Sequence, residues 1–102
     1  QLLSASGESG ESLWQLPLGE EFTESIQSKV ADLRNLGSTR WGGASTAAAF
    51  LQHWTRGLPH AHIDLAGPSM AQKEAPHCAP GATGYGVRLI LRFLEDLTAK
   101  KG

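Results

Sequence analysis

Three side chains that could bind a metal ion alternate along one short segment of the sequence, His60, His62 and Asp64. Apolar and polar residues alternate around them, a pattern that predicts a short β-strand over 60–67. Side chains two positions apart on a strand project from the same face. The two imidazoles and the carboxylate would therefore converge, and their nitrogen and oxygen atoms are ordinary ligands of Zn²⁺.

A structural interpretation of this strand face competes with the metal site and is favoured by the sequence. Position 65 is Leu, so the segment departs from the H-x-H-x-D-H pattern of metal-binding strands. A metal site also needs further ligands and groups that orient them, and only His53 and His77 remain as other histidines. We therefore expect His62 and Asp64 to be polar strand residues that are hydrogen-bonded to neighbouring groups.

Three further segments contain residue types that could do chemistry, and each also has a simpler structural interpretation. His77-Cys78 lies in a proline-rich loop, where a lone cysteine is more often inert than nucleophilic. Gly81–Gly86 precedes a helix and could bind an anion, although it matches neither the dinucleotide-binding nor the P-loop pattern. A tight turn with Thr83 as the helix N-cap is the simpler prediction there. The loop Thr39–Gly43, with its arginine, could bind a phosphate or a carboxylate, and its simpler interpretation is a loop that leads into a close-packed helix.

Apolar residues recur at helical spacing in three segments that would position these side chains. The first predicts a helix over Glu20–Lys29, with acidic residues in its first turn. The second has many alanines and predicts a helix buried between layers, with an apolar stripe at Ala47, Phe50, Leu51 and Trp54. The third predicts a helix with its apolar period at Val87, Ile90, Leu91, Leu94 and Leu97. The segment 68–80 is predicted to be a long loop.

The composition indicates one small domain and excludes several classes of protein. The 102 residues carry a formal net charge of −1, so neither nucleic acid nor an anionic membrane surface is an expected partner. A single cysteine cannot form an internal disulfide. No apolar run approaches the roughly 18 residues of a transmembrane helix, and no signal-peptide pattern opens the chain. We therefore expect a cytoplasmic location and no membrane association.

Five segments, taken in order, resemble the C-terminal end of the leucyl aminopeptidase (cytosol aminopeptidase) family. They are Leu13–Leu18, Ala31–Asn35, Gly42–Leu51, Ala61–Gly67 and Gly81–Val87. Each segment is weak alone, but their order and compatible spacing make the resemblance specific. It implies an α/β fold, a partial helix–sheet–helix sandwich that is the C-terminal segment of the catalytic domain. Residues 13–102 would form that segment, and residues 1–12 would be a frayed helix end and polar linker.

The resemblance also implies an activity, cofactors and partners. Members of the family are exopeptidases that release N-terminal residues, often leucine, from peptides. They use two divalent metal ions, Zn²⁺ or Mn²⁺, which activate a bridging water and bind the substrate amine and carbonyl. They usually assemble as hexamers. The expected partners are therefore a peptide substrate, the rest of the catalytic domain and further copies of the protein in a homo-oligomer.

The sequence departs from the family at its catalytic machinery. The family's metal ligands and its catalytic Lys and Arg lie in motifs such as N-T-D-A-E-G-R, and these 102 residues contain no such motif. We therefore expect this chain to hold no catalytic residue and no metal ligand, and to be inactive alone. The segment matching 66–69 lines the pocket for the substrate's first side chain in the family. This makes Ala66 and Ser69 the candidate substrate-binding residues, and the polar Ser69 argues against a strict preference for leucine.

Two alternatives stay open from the sequence alone. The chain could be a non-catalytic binding or scaffold module derived from this fold. A fragment with unpaired strand edges should oligomerise or need a partner, so a stable monomer would favour the independent module. It could also be a small metal-binding protein that uses His60, His62 and Asp64.

Overall fold

The computed structural model describes residues 1–100 of the chain. Four helices and one antiparallel two-stranded sheet form over these residues, in the order α1 (Leu2–Ser9), α2 (Glu20–Ser25), α3 (Gly43–His53), β1 (Met70–Ala71), β2 (Gly81–Ala82) and α4 (Val87–Ala99). In the sheet, Met70 lies opposite Ala82 and Ala71 lies opposite Gly81. The α/β class expected from the sequence is confirmed.

The described residues divide into two compact units, and each has its own small core. The first unit comprises 1–14 and 65–100 and contains α1, the sheet and α4. The second unit comprises Gln15–Asp64 and contains α2 and α3. Ala5 and Leu89 are fully buried in the first unit, as is Ile26 in the second. None of the helices over residues 1–100 is long and apolar enough to cross a membrane.

The buried carboxylate of Glu11 caps α4 in the first unit. Its Oε2 accepts hydrogen bonds from the N–H groups of Gly86 (3.0 Å) and Leu89 (2.9 Å), and the residue is only 6% exposed. Amides at the start of a helix have no acceptor within the helix. Gly86, the N-cap residue, has no side chain to supply one and adopts a φ of 97°, which favours glycine. Glu11 therefore satisfies these amides from a distant part of the chain and adds negative charge where the helix dipole favours it.

Ser6 and Tyr85 fix the chain on either side of Glu11. The Ser6 hydroxyl donates to the carbonyl of Glu11 (2.8 Å) and accepts from the N–H of Leu13 (2.8 Å). The Tyr85 hydroxyl donates to the carbonyl of Ser12 (2.5 Å). The sequence predicts a frayed helix end and a polar linker over 1–12; the structure has helix α1 there, followed by a hydrogen-bonded turn. The reason is tertiary, because the partners of Glu11 and Ser12 lie 73 to 78 residues further along the chain.

Ion pairs around Arg92 make a second link between α1 and α4. Its Nη2 lies 2.6 Å from Oε2 of Glu8 and 3.0 Å from Oδ1 of Asp96, one helical turn further on. Arg92 and Glu8 are each more than 40% exposed. Solvent therefore limits each pair to about 0–1 kcal/mol, which is less than we expect from the buried cap.

Helix α2 ends earlier than the sequence predicts. The apolar period predicts a helix over Glu20–Lys29, whereas α2 spans Glu20–Ser25. Ile26, the residue after it, is fully buried, and its carbonyl accepts a hydrogen bond from the N–H of Arg34 (2.8 Å). The chain therefore folds back on itself at Ile26, and this long-range bond replaces continuation of the helix.

Glycine at position 42 permits the start of α3. Gly42 is the N-cap residue and has a φ of 67°, a conformation that L side chains rarely adopt. A Cβ atom at this position would also lie 3.0 Å from Cε1 of Phe22, a residue of α2. Three residues later, the Ser45 hydroxyl donates to the carbonyl of Pro17 (2.6 Å). These contacts bring α3 close to α2 through small side chains.

The apolar stripe predicted for α3 is not its buried face. Ser45, Thr46 and Ala49 are buried, whereas Leu51 and Trp54 are exposed. The prediction of a helix buried between layers is therefore wrong for the chain as described. Periodicity identifies a stripe on a helix, but a helix with small residues on another face can pack through that face instead.

The apolar period of α4 is likewise largely exposed. Of that period, Val87 is 68%, Leu91 56% and Leu94 50% exposed, whereas the fully buried residue of the helix is Leu89, which lies outside the period. The helix itself agrees with the sequence and spans Val87–Ala99. It packs against α1, and Val87, Ile90, Leu91 and Leu94 of its predicted apolar stripe are exposed, whereas Leu97 is half-buried.

The strand predicted over 60–67 is absent. Residues 60–65 have no regular secondary structure, and a turn follows at 66–69. A strand requires a neighbouring strand to take up its backbone hydrogen bonds, and the sheet found within 1–100 contains only β1 and β2. β1 lies within the segment predicted as a long loop over 68–80, and β2 follows that segment directly. Ala75 and Cys78 form an isolated bridge between the two strands.

We expect the Glu11→Ala substitution to loosen the start of α4. It leaves the buried N–H group of Leu89 and the half-buried N–H group of Gly86 without an acceptor, which costs about 1–3 kcal/mol. Native-state hydrogen exchange of the amides over 86–89 should accelerate roughly five- to 150-fold. Glu11→Gln, which keeps an acceptor oxygen, should have a smaller effect. Glu74→Ala, at an exposed loop position, is the matched control. If the amides over 86–89 exchange at the same rate in Glu11→Ala and Glu74→Ala, Glu11 does not cap α4.

Candidate functional site

The two candidate substrate-binding residues meet in a tight turn over 65–69. The N–H of Ser69 donates to the carbonyl of Leu65 (3.0 Å), and the Ser69 hydroxyl donates to the carbonyl of Ala66 (2.9 Å). Ala66 is exposed and Ser69 is half-buried. The structure therefore brings Ala66 and Ser69 together, with a small side chain at the exposed position.

Thr83 holds this turn from the adjoining end of β2. Its N–H donates to the carbonyl of Ser69 (2.9 Å), and its hydroxyl donates to the carbonyl of Pro68 (2.6 Å). The same hydroxyl accepts a hydrogen bond from the N–H of Tyr85 (3.1 Å). A hydroxyl has one donor and two acceptor positions, so both contacts are compatible. The sequence pointed to Thr83 only as the N-cap of the third helix, and that prediction is wrong because Gly86 is the N-cap residue.

The anion that could bind before α4 is supplied by the chain itself. The sequence allowed an anion site at the amides that follow Gly81–Gly86. In the structure, the amides of Gly86 and Leu89 are bonded to the Glu11 carboxylate, and Nε of Arg88 lies 3.5 Å from the other oxygen of that carboxylate. A hydrogen-bonded path therefore runs from Glu11 through residues 83–86 to the turn at 65–69.

His60, His62 and Asp64 do not assemble a metal site. Over residues 1–100, no group of three or more His, Cys, Asp or Glu side chains could hold a metal ion. The strand that would have placed the three side chains on one face is absent. The described residues therefore do not fit the pair of divalent metal ions that the family resemblance implies.

The other two chemically interesting segments make ordinary structural contacts. The Cys78 thiol donates to the carbonyl of Ala79 (3.3 Å), and the backbone of Cys78 exchanges hydrogen bonds with Ala75. The guanidinium carbon of Arg40 lies 4.2 Å from the ring centroid of Trp41, in a cation–π contact. The structural interpretation therefore suits both segments.

Comparison with known proteins decides the family. A model of the catalytic domain of the cytosol aminopeptidase family matches residues 1–91. The chain belongs to this family. A probable cytosol aminopeptidase of Trichormus variabilis is 50% identical over 94 residues, and one of Rhodopirellula baltica is 44% identical over 93 residues. The resemblance inferred from the sequence is confirmed, and the match includes residues 1–12.

The fold of the chain is also that of a solved family member. The crystal structure of a cytosol aminopeptidase from Coxiella burnetii superposes with a TM-score of 0.82 and 34% sequence identity, over 93% of this chain and 21% of that one. The alignments with the Trichormus and Rhodopirellula proteins include 92% and 91% of this chain, but 19% and 18% of those proteins. The chain thus spans about a fifth of the length of the relatives that it matches.

We expect the 102-residue chain to show no stoichiometric Zn²⁺ site that depends on His62. Calorimetric titration of the wild type and of His62→Ala should give the same weak heats, because no three ligands converge within residues 1–100. His77→Ala is the matched control, since it removes one imidazole from an exposed loop. A one-to-one site that is present in the wild type and lost only in His62→Ala would contradict this expectation.

Proposed function

We propose that the chain is the C-terminal part of a leucyl-aminopeptidase-type enzyme that hydrolyses N-terminal residues from peptides in the cytoplasm. The observation that carries this proposal is the match of the family's catalytic-domain model to residues 1–91. The relatives are named probable cytosol aminopeptidases, and the chain spans about a fifth of their length. The chain supplies part of the fold and of the substrate pocket.

In this proposal, the turn over 65–69 forms a wall of the pocket for the substrate's first side chain. The exposed Ala66 carries only a methyl group, so it leaves volume for an apolar substrate side chain. The Ser69 hydroxyl donates to the carbonyl of Ala66, which fixes the turn in one conformation. A rigid wall is what selection of a side chain by size requires, because each misfitting methylene group costs about 1–3 kcal/mol.

The metal chemistry of the proposed enzyme lies outside the described residues. The proposal assigns two divalent metal ions, Zn²⁺ or Mn²⁺, to the complete enzyme, where they would activate water. The side chains over 1–100 provide no set of ligands for them. The chain alone is therefore proposed to be inactive and to depend on the rest of the catalytic domain.

The open apolar surface of α4 supports the proposed protein partners. Val87, Leu91 and Leu94 are each at least half exposed, and together with Ile90 they lie along one side of the helix. Exposed apolar surface of this kind is typical of a face that another polypeptide covers. The rest of the catalytic domain is the first proposed partner, and further copies in a hexamer are the second. Neither nucleic acid nor a membrane is proposed.

We expect the product of the complete open reading frame to hydrolyse leucine p-nitroanilide when Mn²⁺ or Zn²⁺ is added. The 102-residue chain, assayed under the same conditions, should give no metal-dependent turnover, because its described part holds no ligand set. Metal-dependent turnover by the 102-residue chain would contradict the proposal that it is inactive without the rest of the catalytic domain. A folded complete product that stays inactive with either metal would instead favour the non-catalytic scaffold module.

We expect Ala66→Leu in the complete protein to reduce activity towards large N-terminal side chains selectively. The added side chain would occupy the proposed pocket, so kcat/KM for leucinamide should fall roughly tenfold or more. For alaninamide, kcat/KM should change much less. Ala99→Leu, at an exposed position of α4 where leucine is a good helix former, is the matched control. Equal losses for the two amides would contradict the assignment of Ala66 to the pocket.

A further inference from the structure

We propose that Thr83 is a positioning residue that sets the substrate side-chain preference by holding the turn that carries Ala66 and Ser69. The proposal rests on the proposed function, because it concerns the same pocket wall. Thr83 contacts that wall through two consecutive carbonyl groups, those of Pro68 and Ser69. It would act on the substrate only through the turn.

The register of the sheet explains why Thr83 reaches both carbonyls. Met70 pairs with Ala82 in the antiparallel sheet, so Ser69 and Thr83 are the next pair beyond it. The N–H of Thr83 continues the ladder to Ser69 at 2.9 Å. The Thr83 hydroxyl then reaches one residue further, to Pro68 at 2.6 Å. The backbone and side chain of one residue thus hold the end of the turn at two points.

The hydroxyl of Thr83 is itself held in place. It accepts a hydrogen bond from the N–H of Tyr85, which favours the orientation in which its own hydrogen points to Pro68. A β-branched side chain also has few χ1 rotamers, so this orientation costs little entropy. Tyr85 in turn donates to Ser12, and the next residue, Gly86, donates to Glu11. The turn is therefore fixed to the helical core of its unit through Thr83.

Loss of this hydroxyl would act on the position of the wall and leave the fold in place. Thr83 is half-buried, and valine has nearly the same shape, so Thr83→Val removes two hydrogen bonds with little change in packing. The Ser69 hydroxyl would still bond to Ala66 and keep the turn itself closed. The expected result is a turn that moves relative to its surroundings, and displacements of about 1 Å are enough to weaken a specificity site.

The experiment compares Thr83→Val with two other variants in the product of the complete open reading frame. Thr83→Ser keeps the hydroxyl and should restore the wild-type behaviour. Thr98→Val is the matched control, because the Thr98 hydroxyl only donates to the carbonyl of Glu95 within α4. For each protein, kcat and KM are measured with leucinamide and alaninamide, and hydrogen exchange is measured over residues 65–71.

We expect Thr83→Val to lower the leucine-to-alanine ratio of kcat/KM roughly three- to tenfold, the worth of one or two hydrogen bonds. The change should lie in KM for leucinamide, since the wall binds the side chain and does not contact the reacting atoms. Exchange over 65–71 should be at least threefold faster than in the wild type. Thr83→Ser and Thr98→Val should stay within about twofold of the wild type in both measurements.

Four results would overturn the inference or its basis, and they are distinguishable. Equal falls in kcat for both amides, with an unchanged ratio, would show that Thr83 has only a structural role. Unchanged exchange over 65–71 in Thr83→Val would show that Thr83 does not hold the turn, whatever the activity. A folded wild-type protein that hydrolyses neither amide would overturn the proposed function. If Thr83→Val does not fold, Thr83→Cys replaces it. A leucine-to-alanine ratio of kcat/KM in Thr83→Cys equal to that in Thr83→Ser would then overturn the inference.

Discussion

The bonds between the Glu11 carboxylate and the first amides of α4 are the interaction on which the first unit depends. A buried carboxylate without partners is unfavourable, and so are buried amides at the start of a helix. The two amides donate to the carboxylate at distances of 3.0 and 2.9 Å, so neither the carboxylate nor the amides are left without a hydrogen-bond partner. The bonds also join residue 11 to residues 86 and 89, so they hold the two ends of the described chain together. Ser6 and Tyr85 fix the backbone around Glu11 and make this geometry specific.

The candidate pocket wall is connected to this cap through residues 83–86. Residues 83–86 lie between the sheet and α4, and three of them make the hydrogen bonds of this connection. Gly86 bonds to Glu11, Tyr85 bonds to Ser12, and Thr83 bonds to Pro68 and Ser69. The glycines of this segment allow a close turn, while its threonine and tyrosine supply the hydroxyl groups. A segment that looks like a simple connection in the sequence therefore joins the start of α4 to the turn over 65–69.

Several large apolar residues of the described chain are exposed. A chain of 102 residues buries only about two thirds of the surface that it exposes when unfolded. Leu89 and Ile26 are fully buried, whereas most of the stripe of α4, Leu51 of α3 and Trp54 just after α3 are exposed. The strand predicted over 60–67 does not form, and the described sheet offers it no neighbouring strand.

The sequence by itself predicted the approximate places of three helices, and its resemblance to the cytosol aminopeptidase family predicted the α/β class. Helical periodicity and the ordered glycine- and alanine-rich segments are local properties, so they can be read along the chain. The choice of Ala66 and Ser69 as one candidate wall came from the family resemblance, and the turn over 65–69 brings the two together. Their role in binding substrate remains a proposal.

The tertiary structure alone decided which faces are buried and what holds the turn. Burial depends on which partner a helix meets, so periodicity could not show that α4 packs through Leu89 and leaves Leu91 open. Glu11 lies in a polar stretch that is typical of a linker, and only contacts 75 and 78 residues away make it a cap. The strand over 60–67 failed for the same reason, because a strand is defined by its neighbours and not by its own alternation.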